Sequence, residues 1–155
     1  MYKQHIMHAL IDKKYCREIY SPLYKKLFNS GENGRPVGRA YVPIEYVDAA
    51  DAIRAIRAAG GVPVLAHPGQ FGNFEAVPEW VEVGLEGIEV KHPLHSKEDE
   101  ERAEALGRLY GLVGTGGSDF HGFYGHALHM LGGWNPGIEC VDQLRERKAA
   151  IMHSN

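Results

Sequence analysis

The chain has 155 residues, which is enough for one domain or a large part of one. An apolar fraction of 44% and a charged fraction of 24% are ordinary values for a globular domain, and they exclude a disordered or fibrous chain. The formal net charge of −3 leaves no excess of basic residues for duplex DNA, so we expect no partner of that kind.

The cysteines and the distribution of apolar residues indicate the cellular compartment of the protein. Cys16 and Cys140 lie far apart and lack the spacing of metal ligands, so we expect two reduced thiols. No stretch has the apolar length of a signal peptide or a membrane span. These patterns predict a cytoplasmic protein with no membrane partner.

The first third of the chain is predicted to be helical and then irregular. Apolar residues recur at helical spacing over residues 2–28, with an interruption at Ser21-Pro22, which predicts two helices. The Gly, Asn and Pro content of residues 29–43 predicts a loop. Asp48 is then placed to cap a helix that ends at Gly60-Gly61.

From residue 62 onward, predicted strands and helices alternate. The strands are predicted at 62–67, 87–92 and 112–116, and the helices at 76–84, 96–111 and 140–153. Ser96 with Asp99 three residues later has the pattern of a capping box. This alternation is typical of the α/β class with a parallel sheet. Three strands make an incomplete sheet or barrel.

Polar side chains follow each of the three predicted strands. They are His67 after the first, Glu89, Lys91, His92 and His95 in and after the second, and Asp119 and His121 after the third. Because the carboxyl ends of parallel strands share one rim, we expect these side chains to converge. Carboxylates and imidazoles suit zinc, iron or manganese. Gly116 and Gly117 are expected to bend the chain and to let backbone approach a ligand.

Purely structural roles are the alternatives for these residues. Asp119 could cap a turn, and His121 could be a solvated loop residue. His67 could simply end a strand before a proline. His92 and His95 could be residues of a surface loop.

Three stretches carry a resemblance to a known family. They are AIRAIRAAGGVPVLAHPGQF (52–71), GLEGIEVKHPLHS (84–96) and GLVGTGGSDFHG (111–122). With these motifs the chain resembles the PHP family, the polymerase and histidinol phosphatase superfamily of metal-dependent phosphoesterases. Its nearest likeness is to the branch of bacterial nucleoside and nucleotide phosphatases, and the likeness extends from about residue 3 to about residue 125.

The resemblance implies a distorted (β/α)7 barrel. Residues 1–47 would form a helical insertion subdomain with its loop, and residues 48–155 the C-terminal βα units, a single incomplete domain. The family's metal site begins with a His-x-His motif near the N-terminus, whereas the pair His5 and His8 has a different spacing and lies on a predicted helix. We therefore expect this chain to be the C-terminal part of a PHP protein.

The resemblance also implies roles for single residues. His67, Asp119 and His121 match metal ligands and would be catalytic, with two or three Mn, Fe or Zn ions in the complete site. The resemblance also makes His95 and His5 plausible contacts for substrate phosphate. From their chemistry rather than from the resemblance, Arg39, Lys91 and His92 are expected to bind substrate, since arginine, for example, grips phosphate through a planar fork of donors. Lys3 and Gln4 replace the Arg-Pro that the family usually has before the insertion histidine.

Two functions are consistent with these features. The first is hydrolysis of a small phosphomonoester or nucleotide by metal-activated hydroxide, with a phosphorylated metabolite, a nucleotide or a short oligonucleotide as partner. The alternative is a truncated, non-catalytic PHP remnant that acts as a structural or interaction module. In that case homo-oligomerisation, or association with a separate N-terminal half, would cover the open edge of the sheet.

Overall fold

The computed structural model describes residues 2–122 and 130–154, and the predicted Gly- and His-rich loop after residue 116 lies partly outside them. The chain forms two compact units, one that runs to Tyr46 and one that begins at Val47. The interpretation of these units as an insertion and a set of barrel units stays a prediction. Within the described ranges, no helix combines the length and apolar character needed to cross a lipid bilayer.

The first unit contains the two helices predicted from the spacing of apolar residues. They are α1 (Lys3–Asp12) and α2 (Pro22–Phe28), followed by a 3₁₀ turn at Glu32–Gly34. Ser21 precedes α2 in an extended conformation, and Pro22 takes the first helical position, where a backbone N–H is not needed. Met7 and Phe28 are buried and anchor the two helices.

The second unit begins with α3 (Ala49–Ala58). As predicted, Asp48 caps it, because its carboxylate accepts hydrogen bonds from the N–H groups of Ala50 and Asp51 at 2.9 and 3.2 Å. The remaining helices are α4 (Pro68–Phe71), α5 (Val77–Glu82), α6 (Lys97–Tyr110) and α7 (Glu139–Ser154), with a 3₁₀ turn at Phe74–Ala76. The helix α6 starts with the predicted Ser96–Asp99 capping box.

A three-stranded parallel sheet forms the centre of the second unit. Its strands are β1 (Val64–Leu65), β2 (Gly87–Lys91) and β3 (Val113–Gly116), in the order β1-β2-β3. The α/β class with a parallel sheet is thus confirmed. The pairing of β2 with β3 is irregular between Glu89 and Lys91.

The first strand is shorter than predicted. The pattern of residues 62–67 predicts six extended residues, but only Val64 and Leu65 pair with β2. The reason is local, because His67 adopts a left-handed backbone conformation and the chain enters α4 at Pro68. The strand therefore ends early, and His67 stands at the turn above it.

The core lies between β2 and the helices. Its buried members are Ile53, Phe74, Val77, Leu85, Ile88, Val90 and Ala103. Ile88 and Val90 of β2 are buried in this core, whereas Glu89 and Lys91 are only partly buried. Charged groups are therefore accessible at the carboxyl end of a central strand.

Candidate functional site

The turn after β1 holds His67 in an unusual backbone conformation. Its φ angle is 31°, in the left-handed region that non-glycine residues rarely occupy. The N–H of His67 donates a 2.7 Å hydrogen bond to Oε2 of Glu89 on the neighbouring strand. The ring nitrogen Nδ1 is buried and has no hydrogen-bond partner among the described residues. A strained backbone and an unpartnered buried imidazole nitrogen are features typical of a functional site.

His92 lies just beyond β2 and is buried, with only 2% of its surface exposed. Its Nδ1 accepts a 3.2 Å hydrogen bond from the N–H of Leu94, so Nε2 carries the proton of the neutral ring. Burial lowers the pKa of His92, while the carboxylates of Glu89 and Asp119 act in the opposite direction and raise it. His92 is therefore a neutral donor rather than a charged group.

The Nε2 atom of His92 has no hydrogen-bond partner in the described part of the chain. It faces Oδ2 of Asp119, which follows β3, across 3.9 Å. The rings of His67 and His92 lie 5.2 Å apart between centroids. Side chains from the ends of all three strands thus come together, as the parallel topology predicts.

Asp119 and His121 form the part of the site that follows β3. Asp119 has a φ angle of 47°, so it is another non-glycine residue in the left-handed region. Nδ1 of His121 lies 2.7 Å from the carbonyl oxygen of Asp119, and because a carbonyl can only accept, Nδ1 carries the proton. Nε2 of His121 is then unprotonated, which is the state of the nitrogen through which a histidine binds a metal ion.

The bend expected at Gly116 and Gly117, at the end of β3, is not found. Neither glycine has a positive φ, and the left-handed residues that follow them are Asp119 and Gly122. At Gly116 the reason for glycine is space, since a Cβ would lie 2.6 Å from Cβ and 2.8 Å from the carbonyl oxygen of Lys91. The N–H of Gly117 continues this contact with a 2.9 Å bond to the same carbonyl. Gly116 therefore lets β3 lie tightly against β2.

His95 has both ring nitrogens engaged by backbone. Nδ1 lies 2.8 Å from the carbonyl oxygen of Val90 and donates to it, while Nε2 accepts from the N–H of Gly69 at 3.2 Å. The two bonds require the same tautomer. His95 thus joins the end of β2 to the first turn of α4, and its predicted contact with substrate stays a prediction.

The predicted substrate cations have different surroundings. The ammonium of Lys91 lies 2.6 Å from Oε2 of Glu100 on α6, and this hydrogen bond raises the pKa of Lys91. His5 and Arg39 belong to the first unit. There Nδ1 of His5 accepts from the N–H of Tyr2 at 3.3 Å, and Arg39 lines a cavity. Their roles toward substrate are not tested by these contacts.

Glu89 has a role in this site that the sequence did not predict. The sequence places it among the polar side chains expected at the rim, and the structure shows that its carboxylate accepts a hydrogen bond from the backbone N–H of His67. The sequence feature that indicates such a role is the position of Glu89 within β2, between the buried residues Ile88 and Val90. A charged residue that alternates with core residues must face something polar.

These groups fit metal ligands in their chemistry. The buried Nδ1 of His67, the carboxylate of Asp119 and Nε2 of His121 are of the type that binds Mn, Fe or Zn. His92 does not fit, because Leu94 fixes the proton on the Nε2 that faces the site. Among residues 2–122 and 130–154, no group of three or more His, Cys, Asp and Glu side chains could hold a metal ion. The donors are thus suitable, but they do not form a closed cage.

Comparison with known proteins shows relatives that hydrolyse phosphate esters. The chain is 45% identical over 130 residues to a phosphoribosyl 1,2-cyclic phosphate 1,2-diphosphodiesterase of Eggerthella lenta, a match that covers 84% of this chain and 47% of the relative. It is 28% identical over 124 residues to a 3',5'-nucleoside bisphosphate phosphatase of Chromobacterium violaceum, over 77% of this chain and 41% of the relative. No family model matches the chain.

The chain is also similar to a solved structure over most of its length. It is a protein from Bifidobacterium adolescentis named as a metal-dependent phosphoesterase, with a TM-score of 0.69 at 25% identity over 94% of this chain and 50% of that chain. The chain spans about half the length of the curated relatives it matches. Sequence and structure therefore agree in relating this chain to phosphoesterases.

Proposed function

We propose that the protein is a PHP-type phosphoesterase that depends on divalent metal ions and hydrolyses a small phosphorylated substrate. The observation that carries the proposal is the meeting of His67, His92 and Asp119 at the carboxyl ends of three adjacent parallel strands. The relatives with phosphodiesterase and phosphatase names support the same chemistry. In this proposal the sheet is part of a seven-stranded barrel, and this chain supplies the C-terminal portion of it.

His67, Asp119 and His121 would hold the metal ions. When bound, such ions lower the pKa of coordinated water and neutralise charge on phosphoryl oxygens. The chain's contribution is to fix these donors in place. Glu89 holds the strained backbone of His67, and the carbonyl of Asp119 sets the tautomer of His121.

His92 would bind substrate rather than metal. It presents a neutral Nε2–H donor, fixed by Leu94, to the space in front of Asp119. A phosphate oxygen is the natural acceptor for such a donor, and binding it would satisfy a buried group that has no partner among the described residues. His95 would act as a positioning residue, because its two hydrogen bonds tie β2 to α4.

The substrate is proposed to be a small phosphomonoester, a cyclic phosphate ester or a nucleotide. The names of the two relatives join phosphate esters to ribose or to a nucleoside, which supports this class. Contacts of substrate with His5, Arg39 and Lys91 stay predictions, as do association with an N-terminal half and homo-oligomerisation. Manganese, iron and zinc are equally consistent with the donor set.

Hydrolysis assays on the purified chain test this proposal. A panel of nucleoside bisphosphates, a ribose cyclic phosphate and a simple phosphomonoester would be incubated with Mn²⁺ or Zn²⁺, beside Asp119→Asn and the matched surface variant Asp142→Asn. Hydrolysis that is lost in Asp119→Asn and kept in Asp142→Asn would support the enzyme. If the folded chain hydrolyses none of these substrates, the proposal fails for this chain, and the non-catalytic module becomes the better interpretation.

A further inference from the structure

The first unit contains a cavity of about 490 Å³ with an unusual lining. Its charged side chains are Lys25, Lys26, Arg35 and Arg39, and no acidic residue lines it. The two lysines come from the last turn of α2, and the two arginines come from the loop that follows. Four positive charges thus surround one concave space.

The backbone holds this loop firmly against the helix. The N–H groups of Gly38, Arg39 and Ala40 donate to the carbonyls of Asn29, Lys26 and Leu27 at 2.8, 3.1 and 2.8 Å. The amide of Asn29 donates to the carbonyl of Pro36 at 3.0 Å.

Glycine is required where the loop and the helix meet. A Cβ at Gly38 would lie 2.4 Å from the carbonyl oxygen of Leu27. The close approach that Gly38 allows brings Arg39 beside Lys26. The backbone hydrogen bonds between the loop and α2 therefore bring the cationic residues to the same cavity.

The four cations have no anionic partner within the described residues. Among the described residues none of the four is in an ion pair, and the same holds for the other Lys and Arg side chains of the first unit, whereas Arg54, Arg57, Arg102, Arg145 and Arg147 of the second unit are all paired with carboxylates. Like charges around one cavity repel each other, and a bound anion would relieve this repulsion. Favourable interaction with the helix dipole can explain Lys25 and Lys26 at the end of α2, but it does not explain the arginines.

The charge of the chain is also divided unevenly. Residues 1–46 contain eight Lys and Arg and four Asp and Glu, a formal charge of +4. Residues 47–155 contain nine Lys and Arg and sixteen Asp and Glu, a formal charge of −7. An asymmetry of this kind indicates that the basic segment meets a negatively charged partner.

We propose that the cavity of Lys25, Lys26, Arg35 and Arg39 binds a compact polyanion with two or more closely spaced phosphate groups. A single cavity of this volume accommodates adjacent phosphates of a pyrophosphate type, whereas an extended nucleic acid backbone requires a groove that follows it. The two arginines can each offer a planar pair of N–H donors, and the lysines add point charges. Arg39 is also expected to contact substrate, but the test of this proposal measures binding in the absence of metal and needs no catalysis.

Calorimetric titration of the full chain with sodium pyrophosphate tests it, with a chelator present so that metal-dependent binding cannot contribute. We expect the double variant Arg35→Gln/Arg39→Gln to weaken binding roughly tenfold or more, because charge-assisted hydrogen bonds are lost. The control Lys13→Gln/Lys14→Gln removes the same charge from the same unit outside the cavity. It should weaken binding less than about twofold, since only screened long-range attraction changes.

A second variant separates geometry from charge. Arg35→Lys/Arg39→Lys keeps the charge but loses the planar forks, so an affinity between those of the wild type and the glutamine variant is expected. Circular dichroism would verify that each variant is folded. The proposal is overturned if the folded wild-type chain does not bind pyrophosphate, if the control loses as much affinity as the arginine variant, or if only a single-stranded oligonucleotide binds.

Discussion

Nε2 of the buried His92 lies 3.9 Å from Oδ2 of Asp119, although the two residues follow different strands. The distance is longer than a hydrogen bond and leaves the imidazole N–H unsatisfied. Since Leu94 fixes the ring tautomer, this donor can only point toward the space that Asp119 borders. The pair thus defines where an anionic group of a substrate is expected to bind.

Removal of the carboxylate of Asp119 should reduce metal binding. Asparagine keeps the size of the side chain but loses the charge that suits a hard or borderline cation. Loss of a residue that only supports a metal ligand lowers metal affinity roughly 10- to 100-fold. We expect Asp119→Asn to lower the affinity for Mn²⁺ or Zn²⁺ by at least this factor. Native mass spectrometry of the variant beside Asp142→Asn measures the ions bound per chain, and equal occupancy in both variants would contradict this role.

Truncation of His92 should destabilise the second unit. The change His92→Ala leaves a space in a buried position and takes the acceptor from the N–H of Leu94. We expect a loss of about 2 kcal/mol in the free energy of unfolding, measured by urea denaturation. The exposed His153→Ala on α7 serves as control, and a similar small effect for both variants would show that His92 is not a packed part of the fold.

Gly116 and Gly117, at the end of β3, should respond differently to alanine. At Gly116 a Cβ would clash with the backbone of Lys91, so Gly116→Ala should cost about 2 kcal/mol of stability. At Gly117 the nearest atom would be Oε1 of Glu89 at 3.7 Å, an ordinary contact. Thermal unfolding of the two variants checks this difference, and equal melting temperatures would refute the close-approach explanation.

The capping box of α6 should make the stability of the second unit depend on pH. Backbone and side-chain hydrogen bonds from Ser96 lower the pKa of Asp99 below its usual value. Asp99 therefore binds a proton more readily in the unfolded chain than in the folded one. The stabilisation by its carboxylate is complete above about pH 4 and is lost as the pH falls through the lower pKa of Asp99 in the folded chain. Urea denaturation between neutral and acid pH should show this loss.

Asp99→Asn tests the origin of that pH dependence. The variant should lose roughly 1 kcal/mol at neutral pH, as other cap substitutions do, and it should lack this part of the acid-induced change. Asp51→Asn, on the exposed first turn of α3, is a matched control. An unchanged pH profile in Asp99→Asn would show that other carboxylates dominate.

Local features of this protein were determined by sequence. The period of apolar residues predicted the helices and the α/β class, and short-range hydrogen bonding is why Asp48 and Ser96 could be identified as caps. The strand-end positions of His67, His92 and Asp119 also predicted that they would approach each other, because parallel strands share one rim. These inferences depend on nearest neighbours and on topology alone.

Tertiary structure decided what each polar group does at the rim. The bond from the His67 N–H to Glu89 and the bond from the Gly69 N–H to Nε2 of His95 each join residues more than 20 positions apart in the chain. The same holds for Gly116, which sequence assigned to a bend and packing assigned to close contact with β2. Side-chain periodicity carries no information about such long-range distances. Only the folded arrangement could show that both ring nitrogens of His95 are bound by backbone, while His67 and His92 each keep a buried ring nitrogen without a partner among the described residues.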